Sequence, residues 1–205
     1  LVTADPVFSM ESVSREEAEK AFLSSGVPID KPIIGVSVRN WKDIDPFLKD
    51  MAVFCDRIYN ELGRNIVFIP MQMPYDASVS EKVRRMMKCP SYMLSVNCTP
   101  KEIMGAIGLM EAVVSMRLHT LIFAANRAVP MLGFIYDPKI EYYLNLFKMP
   151  SGGDMKNYDM DKAFNSLKEL INNRQQYSDS LKEISDVMKK RSEDNVRYLL
   201  KLLDR

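Results

Sequence analysis

Ala112-Val113-Val114-Ser115-Met116-Arg117-Leu118-His119-Thr120 joins an apolar run to a segment of helical composition. Residues 112–114 predict the end of a buried parallel strand, and residues 121–125 predict a helix, since they show no strand alternation. Open α/β sheets bind ligands at such strand-to-helix turns, because the backbone N–H groups of the helix start favour an anion. This stretch therefore predicts both the fold class and the place of a ligand site.

Two side chains of this turn, and one beyond it, carry the candidate chemistry. Arg117 has a planar guanidinium suited to a carboxylate or phosphate, and His119 is the only histidine, the residue type whose charge ordinarily changes near neutral pH. Lys139, after the next predicted strand, adds a second cation. Together they suit capture of a small dianion or trianion, with His119 giving or taking one proton. The alternative is structural: His119 packs as a hydrogen-bonded residue and Arg117 caps a neighbouring element.

Apolar runs alternate with helical segments along the chain. Strands are predicted at 33–38, 66–69, 92–96, 112–115 and 129–135, and further helices at 14–25, 43–62, 80–88, 161–172, from 99 and from 178 onward. Five strands alternating with helices predict an α/β fold, a doubly wound parallel sheet of Rossmann-like type. The glycine-rich residues 151–154 predict a flexible connector, with a phosphate nest as the alternative.

Polar side chains follow several of the predicted strands. Arg39 and Trp41 are expected to contact sugar or donor, since a tryptophan face suits a pyranose ring, with packing at the sheet edge as the alternative. Gln72 and Asp76 are weighed as ligand contacts against turn formation and helix capping. Tyr136 is expected to pack under the turn that follows it rather than to contact ligand.

Composition excludes several classes of function. A net charge of +1 predicts no electrostatic grip on nucleic acid or anionic membrane. No apolar run approaches the ~18 residues of a membrane span. There are no paired carboxylates, nucleophile elbow, P-loop or dinucleotide glycine fingerprint. The three cysteines are widely spaced and have no histidines nearby, which favours reduced thiols in the cytosol over a zinc site: Cys55, Cys89 and Cys98.

Three segments together suggest a family. Met-Arg-Leu-His at 116–119, Val-Pro at 129–130 and Tyr-Asp-Pro-Lys at 136–139 resemble, in this order, the pattern of the polysaccharide pyruvyl transferase family, which pyruvylates cell-wall polymers. Further matches to that pattern are Ala-Asp-Pro at 4–6, Ser-Val-Arg-Asn-Trp at 37–41, and Phe-Ile-Pro-Met-Gln at 68–72 with Asp76. The resemblance extends to about Phe147 and fades in the terminal helices.

This resemblance implies a two-domain fold like that of GT-B glycosyltransferases, with phosphoenolpyruvate as donor in the cleft between the domains. It implies that Arg117, His119 and Lys139 belong to the donor site, while a further arginine of the family's amino-terminal domain has no counterpart here. The expected site therefore has His119 as the catalytic acid and six substrate-binding residues: Arg117, Leu118, Lys139, Arg39, Trp41 and Gln72. No metal or cofactor is expected, since phosphoenolpyruvate is a substrate.

The resemblance also implies partners and a location. The partners are phosphoenolpyruvate, a sugar or lipid-linked oligosaccharide acceptor, and an amino-terminal domain missing from this chain; the location is the cytoplasm, alternatively the inner face of the membrane. Two other functions remain open. One is a GT-B glycosyltransferase or nucleotide-sugar epimerase half, whose helix start would hold a diphosphate. The other is a non-catalytic binding domain.

Three regions are expected along the chain. Residues 1–13 are interpreted as the tail of a missing amino-terminal domain or a linker, because the chain opens at Leu1 as though an element were cut. Residues 14–175 form the Rossmann-like donor-binding domain, and 176–205 a terminal helix with apolar residues on one side. That helix either covers the sheet or reaches across to a partner domain.

Overall fold

The computed structural model describes residues 3–203 and contains a parallel sheet of six strands. They are β1 (Ile33–Ser37), β2 (Asn65–Phe68), β3 (Ser91–Met93), β4 (Ala112–Ser115), β5 (Met131–Ile135) and β6 (Ser151–Asp154). Their order is β3-β2-β1-β4-β5-β6, the order of a Rossmann-like doubly wound sheet. The predicted fold class is confirmed.

Helices cover both faces of the sheet. Within the described residues they are α1 (Arg15–Ser24), α2 (Asp45–Leu62), α3 (Tyr75–Met86), α4 (Pro100–Ile107), α5 (Leu118–Asn126), α6 (Pro138–Phe147), α7 (Met160–Asn172) and α8 (Arg174–Leu203), with a 3₁₀ turn at Pro6–Ser9. Contacts join α2 to α3 and α7, whereas α1, α4, α5, α6 and α8 are linked into a second layer. None of these helices combines the length and the apolar character that crossing a bilayer requires.

Local signals explain most element boundaries. The side chains of Ser14 and Thr99 cap α1 and α4 in reciprocal capping boxes with Glu17 and Glu102, as their spacing predicts. Gly63 ends α2 in the left-handed conformation, with φ of 67°. The main error is at α3, which begins at residue 75 rather than 80, because its first turn is polar and offers no apolar period to detect.

The sheet has six strands rather than five, because residues 151–154 form β6 and not a connector. β6 pairs in parallel with β5. Gly152 lets the ring of Phe134 lie directly on the backbone, since a Cβ there would be 2.4 Å from a ring carbon. Gly153 adopts φ of 104°, where other residues are strained, and approaches the backbone of residues 157 and 158. A strand built on two glycines lacks the apolar pattern that marks the others.

The two ends of the described chain pack against each other on the helical layer. Phe8 is only 2% exposed and its ring lies 6.3 Å from that of Tyr143 and 6.2 Å from that of Phe147. Asn195 of α8 donates to the carbonyl of Ala4 at 2.8 Å. The terminal helix begins at residue 174 rather than about 178 and covers this layer. Predictions that concern residues 1–2 and 204–205 lie outside the described residues.

Candidate active site

The strand order reverses between β1 and β4, the point at which open α/β sheets form a crevice at their carboxyl edge. Ser37 of β1 pairs with Ser115 of β4 at that edge. The N–H of Met116 donates to the carbonyl of Ser37 at 2.8 Å and extends the pairing by one residue. The segments that follow β1 and β4, which carry Arg39 and Arg117, therefore flank one crevice.

Two buried hydroxyls fasten the start of α5 beside this crevice. Thr120 donates to the hydroxyl of Ser37 at 3.1 Å, and Ser37 donates to the carbonyl of Ile69 at 2.9 Å. Both side chains are almost fully buried, so each needs its partner. The hydroxyl of Ser115 also accepts from the N–H of Arg117 at 2.8 Å. The first turn of α5 is thereby tied to β1, to β4 and to the end of β2.

The start of α5 offers donors and no acceptor of its own. The side chains of Ser14, Thr99, Asp137 and Asp159 cap α1, α4, α6 and α7, and the uncapped α2 and α3 each carry an aspartate in the first turn. At α5 the capping position holds Arg117, which cannot accept a hydrogen bond, and the first turn contains no acidic residue. Among α1–α7, this helix start is the one best suited to an external anion.

Arg117 is clamped toward the exit of β2. Its Nε donates to Oδ2 of Asp76 and its Nη2 donates to Oε1 of Gln72, both at 2.9 Å; Nη2 also bonds the second oxygen of Asp76. Asp76 is fully buried and accepts from the N–H groups of Met71 and Gln72 as well. Within the described residues Nη1 of Arg117 forms no hydrogen bond. The clamp thus fixes the guanidinium and leaves one nitrogen for a ligand.

His119 lies in the open, next to a carboxylate. Its side chain is 54% exposed, and its Nε2 is 3.7 Å from Oδ2 of Asp5, so an ion pair forms when the imidazole is protonated. Asp5 is held by the N–H of Val7, which donates to its other oxygen at 3.0 Å. Burial, and secondly the charge of Asp5, raise the pKa of the Tyr143 phenol above its usual value. Because more than half of its side chain is exposed, His119 is not a core packing residue.

Lys139 stands in the first turn of α6, at the exit of the strand next to β4. It is exposed and forms no ion pair within the described residues. α5 and α6 pack side by side, and packed helices lie roughly 8–10 Å apart. Within the described residues, the side chains of Arg117, His119 and Lys139 form no hydrogen bond or ion pair with one another. A bound anion would be needed to connect them.

Arg39, Trp41 and Tyr136 form an aromatic cluster on the β5 side of the crevice. The guanidinium carbon of Arg39 lies 4.4 Å from the ring centre of Tyr136 and 5.4 Å from that of Trp41. The two rings are 4.9 Å apart, and Trp41 is 40% exposed. Tyr136 was expected to pack under the turn that follows it. In the structure its ring packs against that of Trp41.

Several residues that build the site were not assigned a role from the sequence. Ser37 and Thr120 hold the helix start, and Asp5 faces His119; for Asp76 a ligand contact was weighed against a turn and capping role, but its clamp on Arg117 was not foreseen. A signal existed for the hydroxyls, since each interrupts an apolar segment and a buried polar group needs a partner. Asp5 is distant in sequence, and only the packing of the 3₁₀ turn brings it near. The described residues contain no cluster of three potential metal-ligating side chains.

Solved structures share this fold at low sequence identity. S. aureus MnaA, solved with UDP, matches with a TM-score of 0.67 and 12% identity over 100% of this chain and 55% of that one. The UDP-GlcNAc 2-epimerase of Neisseria meningitidis, bound to UDP-GlcNAc, gives 0.66 and 10% over 98% and 55%. E. coli ADP-heptose LPS heptosyltransferase II gives 0.64 and 13% over 80% and 54%. The chain thus spans about half the length of each structure.

These likenesses define the class of fold: a Rossmann-like α/β domain of the kind found in GT-B glycosyltransferases. A sequence model described as polysaccharide pyruvyl transferase matches residues 1–138. The chain therefore belongs to the polysaccharide pyruvyl transferase family, a family of transferases, as its resemblance predicted. A search of curated proteins returns no match.

The Asp76–Arg117 clamp gives a prediction about stability. Asp76→Asn keeps the shape of the side chain but leaves the largely buried Arg117 without a counter-charge, and should lower the free energy of unfolding by about 3 kcal/mol. Urea denaturation measures this loss. Asp161→Asn is the matched control, since that carboxylate is exposed and pairs with Arg57 at the surface, where the loss should be below about 1 kcal/mol. Equal losses in the two variants would contradict the clamp.

Proposed function

We propose that the protein containing this chain transfers the pyruvyl group of phosphoenolpyruvate to a sugar of a cell-surface polysaccharide or its precursor. The product is a cyclic pyruvate ketal, and phosphate is released. Family membership supports this reaction class. The observation that carries the proposal for this site is the start of α5, which offers donors without an acceptor and holds Arg117 and His119 on one turn. The chain would be the donor-binding half.

The donor would bind across the starts of α5 and α6. Phosphoenolpyruvate carries a carboxylate and a phosphate, and therefore needs several cationic or N–H donors at once. The N–H groups at Leu118 and His119, the remaining nitrogen of Arg117 and the exposed ammonium of Lys139 would supply them. Because hydrogen bonds already fix Arg117, little side-chain freedom is lost when it binds the anion.

His119 would act as the general acid. As imidazolium it protonates the methylene carbon of the donor, and C2 becomes an electrophile that one sugar hydroxyl attacks. The C2–O bond to phosphate then breaks, and a neighbouring hydroxyl adds to C2. One hydroxyl proton balances the proton given to the methylene carbon, and the other leaves with phosphate. Asp5 lies 3.7 Å from Nε2 of His119 and can pair with the imidazolium, and the ring is open to solvent.

The acceptor would be a sugar or a lipid-linked oligosaccharide, and the other half of the cleft would come from an amino-terminal domain. We place the reaction in the cytoplasm, or at the inner face of the membrane when the acceptor is lipid-linked. The three cysteines form no disulfide in the described residues, as is usual in a reducing compartment. Gln72, which contacts Arg117, is assigned to the donor side; Trp41 and Arg39 are assigned to the acceptor side.

Donor binding is predicted to depend on Lys139. Phosphoenolpyruvate should raise the melting temperature of the chain, and Lys139→Gln should reduce that shift, because one charge-assisted contact of about 1.5–3 kcal/mol is lost. Thermal denaturation with increasing phosphoenolpyruvate measures it. Lys148→Gln is the matched control. Lys148 caps the carboxyl end of α6, so this variant removes the same charge at the end of the helix opposite Lys139.

Nucleotides decide between this function and the glycosyltransferase or epimerase alternative. UDP and ADP should leave the melting temperature unchanged. Protection by a nucleotide, with none by phosphoenolpyruvate, would favour the glycosyltransferase or epimerase function. That function is considered because structures solved with UDP and with UDP-GlcNAc share this fold. Protection by neither ligand would favour a non-catalytic domain.

Catalysis is predicted to depend on His119. In the natural protein that contains this chain, His119→Ala should slow acceptor-dependent phosphate release from phosphoenolpyruvate by about 10²- to 10⁴-fold, the usual contribution of a positioned acid. A phosphate-release assay measures the rate. Glu61→Ala, at the far end of α2, should leave the rate unchanged. A His119→Ala rate close to that of the unmodified protein would exclude the acid role.

A further inference from the structure

An open groove lies beside the aromatic cluster and has no role in donor binding. It has a volume of about 380 Å³ and is lined chiefly by Trp41, Tyr136, Pro138, Glu141, Asp154 and Lys156. We call it the Trp41 groove. Ligand clefts commonly occupy about 300–1,000 Å³, so it has room for a small polar molecule. We propose that the Trp41 groove binds a pyranose ring of the acceptor; this inference rests on the proposed function and gives it a place for its second substrate.

The aromatic wall of the groove is held in a fixed orientation. Trp41 and Tyr136 are tilted by 57° with ring centres 4.9 Å apart, so the two rings form an angled surface. Arg39 lies over the ring of Tyr136 at 4.4 Å and supports it. The exposed part of Trp41 can then receive the C–H face of a sugar ring, whose apolar hydrogens suit an aromatic face.

The polar side chains that line the groove provide hydrogen-bond partners for hydroxyl groups. Oδ1 of Asp154 accepts from the N–H groups of Lys156 at 2.7 Å and Asn157 at 3.1 Å, which fixes this carboxylate. Its Oδ2 forms no hydrogen bond within the described residues and can accept from a sugar hydroxyl. Glu141 is exposed and lines the same groove, and the ammonium of Lys156 can donate. Carboxylates strengthen such hydrogen bonds because they are charged.

The charges of the groove favour a neutral ligand over a nucleotide. Asp137, Glu141 and Asp154 line it together with one lysine, so the lining carries an excess of negative charge. A diphosphate placed here would meet carboxylates, and like charges at short distance are unfavourable. A polyol has no charge to repel and many hydroxyls to donate. This separates the Trp41 groove from the anion-binding start of α5.

The position of the groove also suits an acceptor. Asp137 and Pro138 line it, and the next residue is Lys139, which is assigned to the donor. A ring bound against Trp41 would therefore lie near the donor site, where one of its hydroxyls could reach C2 of phosphoenolpyruvate. Such closeness converts a bimolecular reaction into an effectively unimolecular one.

Trp41 itself reports on the test, because it is the only tryptophan of the chain. The chain is titrated with the methyl pyranosides of glucose, galactose, mannose and N-acetylglucosamine while tryptophan emission is recorded. At least one pyranoside should change the emission in a saturable way. Saturation-transfer NMR then measures binding of that sugar to variants: Trp41→Ala should abolish it, Asp154→Asn should weaken it about tenfold, and the exposed Asp161→Asn should not change it.

Three results would overturn the inference: no saturable change with any pyranoside, equal sugar binding by Trp41→Ala, or a saturable change in emission caused by UMP instead of by a sugar. If Trp41→Ala does not fold, Asp154→Asn still tests the inference, because it leaves both aromatic rings in place. The melting temperature of Asp154→Asn shows whether that variant is folded. Phosphoenolpyruvate protection is measured on the same samples. If protection persists while sugar binding is absent, only this inference fails; if sugar binds without phosphoenolpyruvate protection, the proposed function fails instead.

Discussion

The start of α5 is held at the crevice by polar groups buried within the sheet and its helices. Thr120 donates to the hydroxyl of Ser37, which in turn donates to a carbonyl at the end of β2. Asp76, which follows β2 in the chain, fixes Arg117. An unpaired buried hydroxyl costs about 1–3 kcal/mol, and an unpaired buried charge costs more, so these contacts strongly favour one position of the turn. The donors on α5 are therefore already in place before any ligand arrives.

The candidate site residues differ in how far they are buried and in how they are held. Arg117 is largely buried and hydrogen-bonded to Asp76 and Gln72, which suits recognition of one end of a small anion. His119 is exposed beside Asp5, and Lys139 is an exposed cation on the neighbouring helix. The aromatic cluster lies on the β5 side of the crevice, and Gln72 lies on the β2 side with Arg117. The cationic and the aromatic side chains thus occupy separate parts of one sheet edge.

The sequence predicted the elements that have a clear period or cap. β4 was placed at its observed limits, and the capping boxes of α1 and α4 were found from spacing alone. β6 was missed because two glycines replace the apolar alternation of a strand. Arg117 and His119 were singled out because the chain's only histidine stands with an arginine at a strand-to-helix turn, and the structure places both at the start of α5. Their partners Asp76 and Asp5 are 41 and 114 residues away, and long-range packing of that kind leaves no local pattern.

The central claim is that phosphoenolpyruvate binds at the starts of α5 and α6. Amide chemical shifts of the ¹⁵N-labelled chain, recorded by NMR during titration with phosphoenolpyruvate, test it most directly. The account predicts saturable shifts that are largest at the N–H groups of Leu118, His119 and Thr120, with a second set at Lys139 and Ile140. Saturable shifts confined to another edge of the sheet, or none in the first turn of α5, would contradict it.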